Sequence, residues 1–355
     1  MNVAHSRILR RAGLAASLGF SALVLSGCSI DNEVLRFGWP SGVTPEAHQM
    51  RELWTWSVIA ALVMGVIVWG LTFWTVAFHR KKADSPDFPR QTGYNVPLEL
   101  SYTAAPFVII AVLFYFTVLV QNDVNTNDRD PAVVVDVTAF QWNWKFGYRS
   151  TPTEPDLSDQ GAEKVLDDAA AEAAERTNEE GHPRPGSVHG KDPYDLSYLR
   201  YDKIETIGSS EEIPVLVLPT NRVIEFHIAS ADVIHAFWVP EFLFKRDVNP
   251  NPEQNHSENV FQITEIERTG AFVGRCAEMC GTFHSMMNFE VRAIEPEMFD
   301  KYVEYRMSGL SNAMSLTKLG EENPECGELC SPTATTTYPF SAKRDLKSVV
   351  VRDDN

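Results

Sequence analysis

The sequence predicts a membrane-anchored all-β protein, with two transmembrane helices followed by an antiparallel β-sandwich or barrel. Two long apolar segments occur in the first third of the chain, and short segments rich in β-branched and aromatic residues fill much of the rest. Strands do not alternate with helices, which excludes a parallel α/β fold. The chain has 355 residues and a formal net charge of −17. Because like charges repel, this balance predicts no nucleic-acid partner.

The N-terminus has the pattern of an exported lipoprotein. Three arginines precede a short apolar run over residues 14–25, which suits a secretory signal but is too short to span ~30 Å of hydrocarbon. The run ends in the tetrapeptide LSGC at Cys28, which resembles a bacterial lipobox. We therefore expect residues 1–27 to be a signal peptide and residues 28–51 to be an exterior segment that begins at lipidated Cys28. An ordinary cleavage site with an incidental cysteine is the alternative.

Two apolar segments, residues 53–78 and 98–120, are long enough to cross a membrane as helices. We assign residues 52–121 to a transmembrane hairpin. Basic residues are concentrated in the loop between the segments, and the positive-inside rule places that loop in the cytoplasm. The sequence thus predicts a multi-pass protein of the cell membrane whose C-terminal domain lies on the exterior or periplasmic side.

Residues 122–306 are expected to form the exported β-domain. Its predicted strands lie in residues 132–140, 141–148, 213–218, 222–228, 260–264, 271–274 and 289–294. An acidic insertion at 150–212 interrupts the strands and holds 16 acidic and 6 basic residues, so it is either a solvated loop or a contact surface for a partner. Residues 307–355 are expected to be a polar, irregular tail, in which Cys326 and Cys330 form a local disulfide.

Residues with metal-binding side chains converge in one short motif. Residues 276–287 read CAEMCGTFHSMM, and His235 lies about forty residues upstream in the sequence DVIH. Thiolate, imidazole and thioether together are the soft ligand set that selects copper. A mononuclear blue-copper site needs one cysteine, whereas two cysteines with two histidines and a methionine can bridge two copper ions. Zinc would seldom use methionine.

This motif, with DVIH and the sequence QWNW at residues 141–144, resembles subunit II of haem–copper cytochrome c oxidases. The resemblance covers roughly residues 50–150 and 213–305. It implies a two-helix anchor and a cupredoxin-like Greek-key β-barrel that carries the binuclear CuA centre. The copper ligands that it implies are His235, Cys276, Cys280, His284, Met287 and the backbone carbonyl of Glu278. The Glu278 side chain is implied to reach a Mg or Mn ion at the interface with subunit I.

The resemblance also implies roles outside the copper ligands. Trp142 matches the tryptophan through which electrons enter, with core packing as the alternative. Glu99 matches an acid near the mouth of a proton pathway, with a headgroup-level charge at a helix end as the alternative. Gly147 lies where some relatives carry a docking acid, so docking is expected to use other acids, such as Asp232 or those of the insertion.

The implied function is the electron-input subunit of a respiratory cytochrome c oxidase, a proton-translocating oxidoreductase. Electrons would pass from a cytochrome c through CuA to haem in subunit I, which reduces oxygen to water. The implied partners are subunits I and III, membrane lipid and a cytochrome c. The lipobox, the insertion and the tail cysteines resemble actinobacterial versions, in which the membrane-bound cytochrome c of a bc complex is the donor within a supercomplex. A copper chaperone or a stand-alone CuA protein remains the alternative.

Overall fold

The computed structural model describes residues 39–336, apart from residues 87, 89, 90, 92, 160–195 and 210. The predicted signal peptide and Cys28 lie outside the described residues. So do most of the acidic insertion and the last part of the tail, residues 337–355.

The membrane hairpin consists of helix α1 (Pro45–Phe78) and helix α2 (Val96–Val124). Both are long and apolar enough to cross a membrane. Thr44 caps α1, because its side chain accepts a hydrogen bond from the Ala47 N–H at 3.1 Å. Both helices extend beyond the apolar segments of the sequence, and the first turn of α1 is buried against the β-domain.

The β-domain that follows the hairpin is a sandwich of two five-stranded sheets. The strands are β1 (Val133–Phe140), β2 (Asn143–Ser150), β3 (Glu205–Ile207), β4 (Val215–Pro219), β5 (Ile224–Ser230), β6 (His235–Val239), β7 (Phe244–Val248), β8 (Val260–Ile263), β9 (Gly270–Cys276) and β10 (Asn288–Ile294). The first sheet has the strand order β3-β2-β1-β5-β8 and the second β4-β10-β9-β6-β7.

The predicted fold, a two-helix anchor followed by a β-sandwich, is confirmed. The sheets differ from the antiparallel expectation in two places, because β1 pairs with β5 and β4 pairs with β10 in parallel. Parallel neighbours need a long connection, and each of these pairs is separated by other strands in the sequence. The insertion lies within the connection from β1 to β5.

Aromatic side chains fill the space between the sheets near one end of the sandwich. Phe289 on β10 lies 5.1 Å from Trp144 and 4.7 Å from Phe237, measured between ring centroids. Phe226 stacks on Phe261 at 4.7 Å. All five side chains are almost completely buried. Such contacts give this end of the domain a rigid base for the loops that carry the metal-binding motif.

The described ends of the insertion belong to the folded domain. Leu157 and Leu199 are buried, and β3 pairs with β2 along the edge of the first sheet. Apolar side chains at two positions therefore anchor a segment whose composition had suggested a surface loop. The described part of the tail, residues 307–336, also differs from the predicted irregular segment.

Helix α3 (Pro296–Met307) is followed by helix α4 (Asn312–Glu322) and a 3-10 segment (Pro324–Cys330). Helix α4 forms because Ser311 caps it, accepting from the Met314 N–H at 3.2 Å, and because it buries Leu316 and Leu319 on one face. The structure contains a Cys326–Cys330 disulfide, with the Cα atoms 5.6 Å apart.

Candidate metal centre

The metal-binding side chains lie on two neighbouring loops at one end of the sandwich. Cys276 is the last residue of β9, and the chain then forms a loop with a 3-10 turn (His284–Met286) before β10. His235 is the first residue of β6, which pairs with β9. Strand pairing therefore brings two segments forty residues apart to the same point.

The ligand atoms are close enough to share metal ions. The Cys276 and Cys280 sulfurs are 3.8 Å apart, and both cysteines are free and buried. His235 Nδ1 lies 3.8 Å from Cys276 Sγ, and His284 Nδ1 lies 3.6 Å from Cys280 Sγ. Such separations suit ligand atoms that bind common metal ions at about 2.0–2.3 Å.

Two softer or weaker donors complete the set. The Met287 sulfur lies 3.8 Å from Cys280 Sγ, and the Glu278 carbonyl oxygen lies 3.2 Å from Cys276 Sγ. The arrangement has two cysteine sulfurs in the middle, an imidazole beside each, and a thioether and a carbonyl at the periphery. These residues fit copper, because soft sulfur ligands and imidazole are the set that copper prefers.

The two thiols differ in acidity. Burial raises the pKa of Cys276, but hydrogen bonds with His235 and with backbone groups outweigh burial and lower the pKa to about 7. Burial and the neighbouring Cys276 thiolate raise the pKa of Cys280 to about 12. A second thiolate at this position therefore needs a bound cation, which a metal would supply.

Asp232 orients the candidate ligand His235. Its Oδ1 lies 2.8 Å from His235 Nε2, so the carboxylate holds the Nε2–H and leaves Nδ1 facing the cysteine sulfur. Asp232 also accepts hydrogen bonds from the backbone N–H groups of Gln141 at 2.6 Å and Val233 at 2.7 Å. Sequence reasoning considered Asp232 only for docking and missed this role. Its position three residues before a ligand histidine was the available signal.

Two tryptophans bond to carbonyls of the ligand loop. Trp142 lies in the turn before β2, is half-buried, and donates from Nε1 to the Cys280 carbonyl at 2.9 Å. Its ring also contacts Phe283, with centroids 5.1 Å apart. Trp144 is completely buried and donates from Nε1 to the Met287 carbonyl at 3.3 Å. Trp144 therefore packs in the core, whereas Trp142 connects the surface to a ligand residue.

The other predicted site residues occupy different parts of the fold. Glu99 lies in the first turn of α2, where its Oε1 accepts from the Asn95 N–H at 2.9 Å and so helps to cap the helix. Gly147 is buried on β2, and a Cβ at that position would overlap the Asp202 carboxylate. The insertion thus supplies a carboxyl group at the place where we noted the lack of a docking acid. The Glu278 side chain is exposed beside the ligand loop.

Comparison with known proteins gives consistent matches. The family described as "Cytochrome C oxidase subunit II, periplasmic domain" matches residues 203–294. "Probable cytochrome c oxidase subunit 2" of Nocardia farcinica is 67% identical, covering 97% of this chain and 91% of the relative. "Cytochrome c oxidase subunit 2" of Mycobacterium tuberculosis is 54% identical, with coverages of 96% and 91%.

Among solved structures, the periplasmic domain of subunit II of cytochrome oxidase from Bradyrhizobium japonicum is similar at 22% identity. It covers 52% of this chain and 99% of that domain, with a TM-score of 0.31.

Proposed function

Because the chain belongs to the cytochrome c oxidase subunit II family, we propose that it is the subunit through which electrons enter a respiratory oxidase. The observation that carries the proposal is the convergence of two free cysteines with two histidines and a methionine. When bound there, a pair of copper ions would supply one-electron chemistry between a cytochrome c and the haem of subunit I, where oxygen is reduced to water with proton pumping.

The chain's own residues hold this centre and connect it to the surface. Cys276 and Cys280 lie between the two histidines, and burial keeps water away from their sulfurs. Asp232 orients His235, and Met287 offers the weak thioether that tunes the potential of copper sites. The indole of Trp142 gives a hydrogen-bonded route from the protein surface to the Cys280 carbonyl.

We propose two further roles, one for Glu278 and one for Glu99. The Glu278 carbonyl faces the cysteines while its side chain is exposed, so the carboxylate is available to a Mg or Mn ion bound against subunit I. For Glu99 we propose a role at the mouth of a proton pathway in subunit I. Its half-buried position in the first turn of a membrane helix suits this role, in addition to its capping bond with Asn95.

The proposed location is the cell membrane, with residues 1–27 as the signal peptide, lipidated Cys28 as an extra anchor and the β-domain outside. Subunits I and III are the proposed membrane partners. The proposed donor is a cytochrome c, tethered as part of a bc complex in a supercomplex. The insertion supports a tethered donor, because its described ends cover β2 at Gly147 and extend the exterior surface of the domain.

A copper chaperone or a stand-alone CuA protein is less well supported. Neither needs a hairpin of two membrane helices below the copper domain, and the match to oxidase subunits extends over 97% of this chain.

Metal analysis of the full-length chain, purified in detergent, tests the proposal. We expect two copper ions per chain and near-infrared absorption, both lost in Cys276→Ser because one bridging thiolate is removed. The double variant Cys326→Ser/Cys330→Ser is the matched control and should keep both copper ions, because that pair forms a disulfide elsewhere. Zinc in place of copper, or one copper per fully loaded chain, would contradict the proposal.

A further inference from the structure

The Cys280 carbonyl oxygen accepts hydrogen bonds from two side chains. Gln141 Nε2 donates at 2.7 Å and Trp142 Nε1 donates at 2.9 Å. A carbonyl has two lone pairs, so both of its acceptor positions are used. Both donors come from the turn before β2, whereas Cys280 lies in the loop between β9 and β10. The amide of Gln141 therefore helps to fix the carbonyl to which the indole bonds.

Gly281 makes this close approach possible. Its φ is +117°, and a Cβ there would lie 3.1 Å from Trp142 Nε1 and 3.2 Å from Gln141 Nε2. These separations are tighter than most Cβ contacts, so a larger residue would have to push both donors away by a few tenths of an ångström. The backbone at this position is thus shaped to admit the two side chains together.

Gln141 is also held from the opposite side. Its backbone N–H donates to Asp232 Oδ2 at 2.6 Å, while Asp232 Oδ1 contacts the ligand His235 at 2.8 Å. Through its backbone Gln141 is joined to the partner of one ligand, and through its side chain to another ligand residue. One glutamine therefore ties the turn that carries Trp142 to both metal-binding loops.

We propose that Gln141 is a positioning residue for electron input, which keeps the Trp142 indole hydrogen-bonded to the Cys280 carbonyl. This inference rests on the proposed function and deepens it by naming the residue that sets the geometry of the route. The carbonyl carbon of Cys280 is connected to its sulfur by only two covalently bonded atoms, Cα and Cβ. The rate of electron transfer falls steeply when a bonded connection is replaced by a gap. A small displacement of the indole from the carbonyl should therefore lower the rate strongly.

The test uses Gln141→Met in the assembled oxidase, because methionine has a similar length but no amide donor. Thr282→Val, which changes an exposed polar residue beside Gly281, is the matched control. We expect Gln141→Met to keep its copper content and its affinity for the donor cytochrome. The rate constant for electron transfer within the complex should fall about tenfold or more, as misplaced reacting groups commonly cause. Thr282→Val should behave like the unmodified chain.

A second readout does not depend on turnover. The ultraviolet resonance Raman difference between the unmodified chain and Trp142→Phe isolates the indole band of Trp142, which reports its N–H hydrogen bond. In the Gln141→Met variant, the position of this band should indicate a weaker hydrogen bond from the Trp142 N–H than in the unmodified chain. Gln141→Asn, whose amide is one methylene shorter, should give the same changes and replaces Gln141→Met if that variant loses copper.

An unchanged indole band or an unchanged rate constant within the complex would overturn the inference. A weaker affinity for the donor with an unchanged rate constant would also overturn it, because Gln141 would then be a docking contact. Failure of the proposed function is distinguishable: it would appear as missing copper in the unmodified chain, or as a Trp142→Phe variant that transfers electrons at the normal rate.

Discussion

Trp142 lies between the solvent and Cys280, because its indole donates a hydrogen bond to the Cys280 carbonyl and its ring contacts Phe283. Trp142→Phe should slow electron transfer from the cytochrome while copper content stays the same. The reason is that phenylalanine can retain the ring contact but not the hydrogen bond. Stopped-flow oxidation of the donor measures the rate, with Trp238→Phe as a half-buried control in the same domain. Unchanged donor oxidation would make Trp142 a packing residue.

Asp202 has a buried carboxyl group whose two oxygens lack a hydrogen-bond partner within the part of the chain that the structure describes. Burial, then the carboxylates of Asp136 and Glu205, raise its pKa to about 8, although Arg149 and Lys145 act in the opposite direction. The folded chain therefore binds a proton that the unfolded chain releases near its ordinary pKa of 3.8. The stability that this proton supports is lost as the pH rises from about 4 towards about 8.

Asp202→Asn should flatten this part of the pH profile and raise the melting temperature near pH 8, because an amide has no charge to bury. Melting curves of the full-length chain, recorded across this pH range, provide the measurement. Asp156→Asn is the control, since that carboxylate is exposed. If the melting temperature of both variants changes with pH as it does in the unmodified chain, Asp202 is ionised in the folded protein.

The grouping of the candidate metal-binding side chains was predictable from the sequence, because four of them lie within twelve consecutive residues and their types are those that soft metals select. Gln141 and Asp232 were not assigned their positioning roles. Gln141 acts through hydrogen bonds to Asp232 and to the Cys280 carbonyl, which are both far from it in the sequence. The type of a residue does not reveal such bonds.

At the scale of elements, strand β10 holds the C-terminal tail through a completely buried ion pair, Glu290 and Arg292. Arg292 donates to the carbonyls of Leu329, Ser331 and Thr333. Glu290 accepts hydrogen bonds from the backbone of Thr335 and Thr336. The segment after the disulfide is thus fixed to the sheet by charged groups that have no access to water.

Arg292→Met should lower the free energy of unfolding by about 3–5 kcal/mol, because Glu290 would remain as a buried carboxylate without its partner. Urea unfolding of the full-length chain, followed by circular dichroism, measures the change. Lys318→Met is the control: this lysine is exposed on α4 and contacts the Tyr305 ring, so its loss should cost less than about 1 kcal/mol. If Arg292→Met and Lys318→Met lower the free energy of unfolding equally, the buried ion pair does not contribute more to stability than an exposed contact.

Seven of the ten strands found among the described residues could be predicted, because β-branched and aromatic residues dominate them. The other three, β3, β6 and β7, carry weaker signals. Strand β7 reads FKRDV, with charged residues at its centre, and β3 is three residues long inside an acidic segment. Strand β6 begins at a ligand histidine directly after a loop. Their conformation depends on pairing with neighbours, which the local sequence does not encode.

For the whole molecule, the question is whether the donor cytochrome is tethered in a supercomplex or soluble, and shortening the insertion tests this. Asp159 and Leu196 can be joined by a short glycine–serine linker, because the Asp159 N–H donates to the Tyr201 carbonyl at 2.8 Å and Ser158 pairs with Asp202. Replacing residues 160–195 in this way keeps both packed ends. We expect this variant to retain copper but to lose co-purifying bc complex, because the segment that we propose as the contact with the donor would be missing.

The salt dependence of the unmodified oxidase gives an independent check. A tethered donor should make turnover nearly insensitive to salt until the assembly dissociates. A soluble basic cytochrome should instead lose rate steeply as the Debye length falls from ~10 Å at 0.1 M to ~3 Å at 1 M. Unchanged co-purification and unchanged donor turnover in the shortened variant would show that the insertion is a solvated loop.

The electron paramagnetic resonance spectrum of the fully loaded, full-length chain distinguishes a copper pair from a single copper ion. Two cysteine sulfurs 3.8 Å apart, each beside a histidine nitrogen, predict a site in which one unpaired electron would couple equally to two copper nuclei. We therefore expect the hyperfine pattern of an electron shared between two nuclei. A spectrum with the hyperfine pattern of a single copper nucleus would show that these residues do not hold a copper pair.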